Sequence, residues 1–585
     1  MTDTTRRQNL ETALFALAFV LAITVRLLRL GDMPLSDDEA RWAMQALDLT
    51  RGLHPVIGPQ PIYVLLTTLV FYVFQASNFT ARFIPALAGA LLAFAPLFFR
   101  DRLGNKAALV LSFVLALEPG LLNMSREAGS PIIALSAVIF TWAFWRAGKL
   151  RASGIAAGMA LLSGMAVWPG LLGLALAYGL SRGLSRSSAA DESAAPQPAF
   201  DRPSLVTAAA YAIGTYLALG SLFLIVPAGL GAGLAAIPAY LQGWLTFDDV
   251  PALRLAAALA FYEPLAVLLA VVGLVRGIRQ GDKLVTSLGL WLLSALILSM
   301  VYSSRQVADL IWALIPLWAL AVIEASRYLV AAQDNVWETL AMAALTVAIL
   351  FFAGSNFVTI AISPLDMNAI AREIGSLQLT VGQGLTLAIL VALALLAACV
   401  ALVAYGWSKS VAFQGALWGA LLAAAVYTLA ISVAAANLRT YRTVELWQAG
   451  PRTMQAQVFI DQMNDLARWS KGVNQSLDAS VSGLDSPALH WLLRDWSDVT
   501  YSPSPTLTGT PAFVIASDQL SAPELSSAYR GQNFNWRNYP NWNALAASDW
   551  LRWVILHQAP EGQDNIILWT RSDVFLDASN PIKAP

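Results

Sequence analysis

The chain has 585 residues, of which 57% are hydrophobic and only 12% are charged, and its formal net charge is −1. A soluble domain carries about twice that charged fraction, so the composition excludes an ordinary soluble protein and predicts a membrane protein. The near-zero net charge also argues against nucleic acid as a partner. A single cysteine, Cys399, excludes an intramolecular disulfide, and the three histidines lie far apart, so no structural metal is predicted.

The first apolar run covers 14–28 and predicts a retained membrane span, because it follows Arg6 and Arg7 but has no small-residue cleavage site. A helix needs about 20 apolar residues to cross the hydrocarbon core of a bilayer. Runs of about that length recur at 82–99, 107–123, 130–145, 205–226, 255–275, 284–301, 308–323, 336–360, 381–405 and 412–436.

Four loops between these runs carry clusters of Arg and Lys, at 100–106, 146–151, 182–202 and 276–283. The positive-inside rule places all four in the cytoplasm, together with the N-terminus. The amphipathic stretch 61–76 is then predicted to lie on the outer surface. The stretch 153–181 is predicted to form two short helices broken at Trp168-Pro169-Gly170, because proline ends a helix. Thirteen crossings result, and everything after about Asn437 lies outside.

The C-terminal quarter is polar and rich in Asp, Ser, Asn and Pro. It combines a helical stretch at 452–470 with short β-type runs at Phe513-Val514-Ile515 and Ile566-Ile567-Leu568-Trp569. The sequence therefore predicts two domains. Residues 1–436 form a polytopic α-helical membrane domain with an outer loop at 31–81, and residues 437–585 form an extracytoplasmic α/β domain.

Three consecutive carboxylates follow the first span in the sequence Ser36-Asp37-Asp38-Glu39-Ala40-Arg41-Trp42. A structural interpretation explains them, because Ser36 and Glu39 have the spacing of a capping box and acidic residues favour a helix N-terminus. A functional interpretation is a general base at the depth of a lipid phosphate, which a hydroxyl nucleophile needs. On a helix Asp38 shares a face with Arg41, which can then orient it.

This stretch resembles the Asp-Glu motif in the first outer loop of the GT-C glycosyltransferases, especially the aminoarabinose transferases and protein O-mannosyltransferases. Further landmarks follow in order over about the first 180 residues: Pro59-Gln60-Pro61-Ile62-Tyr63, the aromatic-x-x-Arg-type start of the second span at 78–89, Leu103-Gly104 and Ser125-Arg126. The resemblance implies a GT-C fold and a sugar donor linked to polyprenyl phosphate. It also implies that Asp38 is the catalytic base, with Glu39 beside it.

Two arginines are the predicted phosphate ligands. The segment Ser304-Arg305-Gln306 is similar to a family segment whose basic residue approaches the lipid phosphate, and Arg126 follows the third span. The alternative for both is an anchor that reaches the membrane surface. The chain departs from the family in having Pro59-Gln60-Pro61 where the aminoarabinose transferases have Lys-Pro-Pro. It also has Glu127, which could substitute for an aspartate expected about five residues after Arg126.

The sequence therefore predicts a multi-pass protein of the cytoplasmic membrane that acts as an inverting hexosyl- or pentosyltransferase. It would move a sugar from a polyprenyl-phosphate donor to a glycan, lipid or protein acceptor at the outer face. A divalent metal is possible, but no ligands are assigned. The alternatives are a flippase or transporter for a lipid-linked saccharide, and an inactive GT-C-like scaffold. Glu263 within a span and the outer-loop pair Asp248 and Asp249 are candidates of lower rank.

Overall fold

The computed structural model of the chain describes residues 3–187, 201–247, 250–328, 336–362, 370–374, 377–438, 444–448, 450–503, 509–519 and 525–575. Its α-helices are α1 (Asp3–Leu27), α2 (Asp37–Thr50), α3 (Pro61–Phe74), α4 (Asn78–Leu91), α5 (Arg100–Leu103), α6 (Asn105–Leu117), α7 (Pro119–Ser125), α8 (Pro131–Arg146), α9 (Leu150–Leu162), α10 (Trp168–Ser187), α11 (Arg202–Gly220), α12 (Ala228–Gln242), α13 (Ala252–Tyr262), α14 (Pro264–Gln280), α15 (Lys283–Val301), α16 (Ile311–Tyr328), α17 (Val336–Ile362), α18 (Val381–Gly406), α19 (Lys409–Ala435), α20 (Ala456–Lys471), α21 (Pro487–Leu492) and α22 (Ala547–Leu556).

The strands are β1 (Ile370–Ile374), β2 (Leu377–Thr380), β3 (Arg452–Thr453), β4 (Ala479–Ser482), β5 (Val499–Ser502), β6 (Phe513–Ser517), β7 (Tyr529–Pro540) and β8 (Glu561–Arg571). Short 3₁₀-helices cover Leu92–Phe99, Gly164–Val167, Val307–Leu310, Trp542–Ala544 and Ser572–Phe575. The sequence did not predict α12 or the hairpin of β1 and β2, which both lie between the apolar runs.

Within the described ranges, nine helical segments are long and apolar enough to cross a membrane. Two bent pairs, α6 with α7 and α13 with α14, raise this number to 11. The shorter apolar helices α8 and α9 lie where the sequence predicts two more crossings. The chain is a multi-pass membrane protein, and the count of thirteen spans remains a prediction.

The structure corrects two of the predicted spans, because each contains a break. The run 255–275 bends by 90° between α13 and α14, and the run 107–123 bends by 51° between α6 and α7. Each second helix begins with a proline, Pro264 or Pro119, which has no backbone N–H to continue the preceding helix.

The stretch predicted to lie on the outer surface forms a helix, α3, whose 14 residues extend about 21 Å, well short of the roughly 30 Å hydrocarbon core. Its location at the membrane surface remains a prediction. The predicted break in 153–181 lies slightly earlier than expected, between α9 and α10. Gly164 adopts a left-handed φ of +75° there, and a Cβ would lie 1.6 Å from the Pro59 carbonyl oxygen. Only glycine fits this contact. The contact packs the segment between α9 and α10 against Pro59, just before the start of α3.

The C-terminal domain is built on a six-stranded sheet with the order β3-β7-β8-β6-β4-β5. The two predicted β-type runs are the neighbouring antiparallel strands β6 and β8, with Ile515 opposite Leu568. The predicted helical stretch 452–470 instead begins with strand β3 and continues as α20. Helices α20 and α21 complete a mixed α/β domain, as the sequence predicts.

The segment that enters the C-terminal domain is fixed to the membrane helices by buried polar contacts. Glu445 is fully buried and accepts from the hydroxyl of Tyr262 at the end of α13, and His557 Nδ1 lies 3.0 Å from the same Glu445 oxygen. Arg254 in α13 donates to the carbonyl oxygens of Leu446 and Gln448. These contacts hold the residues that follow, 447–448 and 450–453, close to the C-terminal end of α1.

Candidate active site

A cavity of about 380 Å³ lies between the C-terminal end of α1 and the C-terminal domain. Its walls are the loop after α1, the start of α2, the loop between α7 and α8, and residues 447–448 and 450–453. The charged side chains that line it are Arg29, Asp38, Glu39, Arg82, Arg126, Glu127 and Arg452. Four of the six residues predicted from the sequence are in this group, and Arg41 and Arg305 are not.

Glu39 is buried and fully engaged by hydrogen-bond donors. Arg82 donates to both carboxylate oxygens at 2.7 Å, and the backbone N–H groups of Ser36 and Ala128 donate at 3.0 and 2.9 Å. The contact with Ser36 completes the predicted capping box. Burial alone would raise the pKa of Glu39, but the Arg82 charge and these hydrogen bonds outweigh it and lower the pKa. Glu39 is therefore an ionised structural anchor.

Asp37 contacts the C-terminal domain. It accepts from the Ser486 hydroxyl at 2.6 Å and from the Ala488 backbone N–H at 3.0 Å, and Arg537 lies 2.6 Å from its other oxygen. Nearby, the Thr453 hydroxyl donates to the Leu35 carbonyl at 2.9 Å. The start of α2 is therefore fixed from both the membrane domain and the C-terminal domain.

Asp38, between these two anchors, lines the cavity. Its side chain is 63% exposed, and Arg41 Nη1 lies 3.9 Å from its Oδ1. The sequence predicts this pairing of Asp38 with Arg41 on one helix face, and the structure places the two residues as predicted. A carboxylate with this exposure can accept a proton from a group that enters the cavity.

Glu127 lies in the loop between α7 and α8 and also lines the cavity. Half-buried, it makes no hydrogen bond or ion pair with any residue that the structure describes. Burial raises its pKa to about 8, and the negative charges of Glu39 and Asp38 add to the shift while Arg82 opposes it. Burial therefore favours the protonated form of Glu127, in contrast to the ionised Glu39.

Arg126 caps the C-terminal end of α1 and reaches the cavity. Its Nη1 donates to the carbonyl oxygens of Val25, Arg26 and Leu28 at 3.0, 2.8 and 2.9 Å, where a helix end leaves acceptors without partners. Its Nε makes no hydrogen bond within the described residues. Burial and the Arg82 charge lower its pKa to about 10, so Arg126 remains a cation at neutral pH.

Arg305 lies outside the cavity lining, and its Nη1 donates to the Val250 carbonyl oxygen at 3.1 Å. Glu263 is buried beside Glu118 at the α13–α14 bend and is also absent from the lining. Asp248 and Asp249 lie outside the described residues. Within the described ranges, no three His, Cys, Asp or Glu side chains are grouped to hold a metal ion, so metal dependence remains a prediction.

Several residues that line the cavity were not predicted from the sequence, notably Arg29, Gln60, Arg82, Trp447 and Arg452. A signal for Arg82 was present, because it is the charged residue at the start of the apolar run 82–99 and such charges are costly unless paired. Arg452 and Trp447 had no comparable signal. They reach the cavity only because the C-terminal domain docks over it.

The fold and the cavity define a membrane protein of the GT-C architecture. Among solved structures, the chain is similar to ArnT from Cupriavidus metallidurans bound to undecaprenyl phosphate, with 14% sequence identity and a TM-score of 0.53 over 94% of this chain and 97% of that chain. It is similar to the apo state of the same ArnT, with 12% identity and a TM-score of 0.50 over 95% and 98% of the two chains.

A comparison with protein-family models finds no match, and a comparison with curated proteins finds none. The structural likeness covers the membrane helices and the C-terminal domain together, and at this level of identity it establishes the fold. ArnT is an aminoarabinose transferase, a GT-C glycosyltransferase, so the predicted GT-C fold is confirmed.

Proposed function

We propose that this protein is a glycosyltransferase that uses a polyprenyl-phosphate-linked sugar as its donor. The observation that carries the proposal is the placement of Asp38. Its exposed carboxylate faces a cavity at the end of the first span, and the lining of that cavity also includes Arg29 and Arg126. The likeness to an ArnT structure with bound undecaprenyl phosphate supports a lipid-linked donor.

In the proposed reaction, Asp38 accepts the proton of an acceptor hydroxyl as the oxygen attacks the anomeric carbon. The bond between that carbon and the phosphate oxygen breaks at the same time, with inversion, and the electron pair leaves with the lipid phosphate. The proton on Asp38 then passes to water. Arg41 orients Asp38, and cations near the phosphate stabilise the charge that grows on it.

The other predicted residues have distinct roles in this proposal. Arg126 supplies a cation from the cavity wall, and Glu39 fixes the start of α2 so that Asp38 points into the cavity. Glu127 faces the donor from the opposite loop. Arg305 is proposed to approach the phosphate from outside the cavity lining. We place the reaction at the outer face of the cytoplasmic membrane, with a glycan, lipid or protein as the acceptor.

Transfer from polyprenyl-phosphate sugars by the purified protein tests the proposal, with and without divalent metal. Asp38→Asn should lower the rate about 10²–10⁴-fold, because the amide cannot accept the proton, and should leave thermal stability nearly unchanged. Ser36→Ala is the matched structural control, since loss of an N-cap costs about 0.5–2 kcal/mol of stability but leaves the base in place. A stable Asp38→Asn protein with wild-type turnover would remove Asp38 from the mechanism.

The same assay separates the two alternatives. A flippase or transporter would move the lipid-linked sugar across vesicles without cleaving it, and an inactive scaffold would neither cleave nor move it. Sugar released from the lipid only in the presence of the wild-type protein supports the enzyme.

A further inference from the structure

Glu127 is a carboxyl group at the cavity that the reaction described above does not use. Its backbone is fixed on both sides. Arg126 is fixed to the end of α1, the Ala128 N–H donates to Glu39 at 2.9 Å, and the Ser130 N–H donates to Gln60 Oε1 at 2.9 Å. The loop therefore presents the Glu127 side chain to the cavity from a rigid frame.

Glu127 forms no ion pair with any arginine that the structure describes. Arg82 is the cation that acts on it most strongly, but all five Arg82 N–H donors are used. Two bind Glu39, and three bind the carbonyl oxygens of Leu30, Met33 and Pro34. The charged groups around Glu127 are Asp38 and Glu39 from α2, Arg82 from α4, Arg126 from its own loop, Arg29 after α1 and Arg452 from the C-terminal domain.

An ionised Glu127 would therefore be a third carboxylate beside Asp38 and Glu39, half-buried and without a hydrogen-bond partner among the described residues. Leaving such a charge unpaired is costly, whereas a neutral carboxylic acid avoids the cost and keeps one O–H donor. The pKa of about 8 agrees with this geometry.

We propose that Glu127 acts as a neutral carboxylic acid that donates its O–H hydrogen bond to a phosphate oxygen of the lipid-linked donor. This inference rests on the proposed function and adds the protonation state in which the donor is bound. The proton stays on Glu127 throughout the reaction. The hydrogen bond shortens as the leaving phosphate gains negative charge, because hydrogen bonds to ionised acceptors are the stronger ones.

A binding experiment tests the inference without turnover. Undecaprenyl phosphate is titrated into the purified full-length protein in detergent at about pH 7 and about pH 9, both above the pKa near 6 that is typical of a phosphate monoester. Raising the pH should weaken wild-type binding by about tenfold, because the neutral fraction of Glu127 falls by that factor when its pKa is about 8.

Two substitutions of Glu127 separate the hydrogen-bond donor from the charge. Glu127→Gln keeps an N–H donor and never ionises, so it should bind undecaprenyl phosphate more tightly than wild type at about pH 9 and show a flat pH profile. Glu127→Met has no donor and no charge, so its profile should also be flat but its affinity at about pH 7 should be lower than that of wild type. An alkaline loss that persists in Glu127→Gln would overturn the inference.

A stability measurement distinguishes failure of this inference from failure of the proposed function. The folded-state pKa of about 8 lies above 4.5, the ordinary pKa of a glutamate side chain. The stability that Glu127 contributes by remaining protonated is therefore complete below about pH 4.5 and is lost as the pH rises through about 8. The difference in melting temperature between wild type and Glu127→Gln should change over that window. If the protein binds no lipid at any pH, the proposed donor is refuted. If the melting-temperature difference between wild type and Glu127→Gln does not change with pH, the proposal that Glu127 is a neutral acid is refuted.

Discussion

Replacing Glu39 by Gln is expected to destabilise the protein strongly, because four donors converge on this carboxylate. Arg82 Nε and the Ala128 N–H face Oε1, whereas Arg82 Nη2 and the Ser36 N–H face Oε2. In either orientation of a glutamine amide, its NH₂ group would face two donors instead of an acceptor. The substitution also leaves the Arg82 charge buried and uncompensated, since the two side chains are only 7% and 9% exposed.

Removing one partner of a buried ion pair costs about 3–5 kcal/mol, and we expect Glu39→Gln to lie in this range. The destabilisation of the double variant Glu39→Gln with Arg82→Met should be smaller than the sum of the two single-variant values. The shortfall should be about 1–3 kcal/mol, because the second substitution removes the uncompensated charge. Recovery will be incomplete, since Arg82 also binds the carbonyl oxygens of Leu30, Met33 and Pro34.

The measurement is the denaturant midpoint of unfolding in detergent micelles, compared at a constant slope. Asp101→Asn is the matched control. Asp101 lies 2.6 Å from Arg146 but is 60% exposed, and such surface pairs contribute about 0–1 kcal/mol. A Glu39→Gln protein that is as stable as the control but inactive in transfer would refute the structural role and make Glu39 a catalytic residue.

Three further results are expected. Asp37→Asn should loosen the C-terminal domain at a cost of about 1.5–3 kcal/mol for a charge-assisted contact, seen as faster proteolysis of that domain; unchanged proteolysis would contradict the docking role. Arg126→Ala should weaken undecaprenyl-phosphate binding by about 1.5–3 kcal/mol, and Arg305→Ala should weaken it less because Arg305 is not in the cavity lining; the reverse order would contradict the cavity as the phosphate site. Reporter fusions after Trp447 and within 184–199 should report opposite sides of the membrane, and agreement between them would refute the thirteen-span topology.

Composition and hydrophobic run length determined the membrane class and the positions of most helices without any tertiary information. A helix that crosses a bilayer must supply its own apolar surface, so α1, α17, α18 and α19 can be read directly from the sequence. Run length alone could not predict the bend between α13 and α14. Nor could it predict that the C-terminal domain supplies part of the cavity wall. Both features depend on contacts between residues far apart in the chain, such as Arg254 with Leu446.

The carboxylate motif shows the same division. The sequence identified Asp37, Asp38 and Glu39 as a helix start and a possible catalytic site. Successive residues on a helix point about 100° apart, so the three side chains had to diverge. Only the tertiary structure decided their surroundings, because Arg82 binds Glu39 and the C-terminal domain binds Asp37. Asp38 is left facing the cavity because its two neighbours in the chain are held by partners that lie 43 or more residues away.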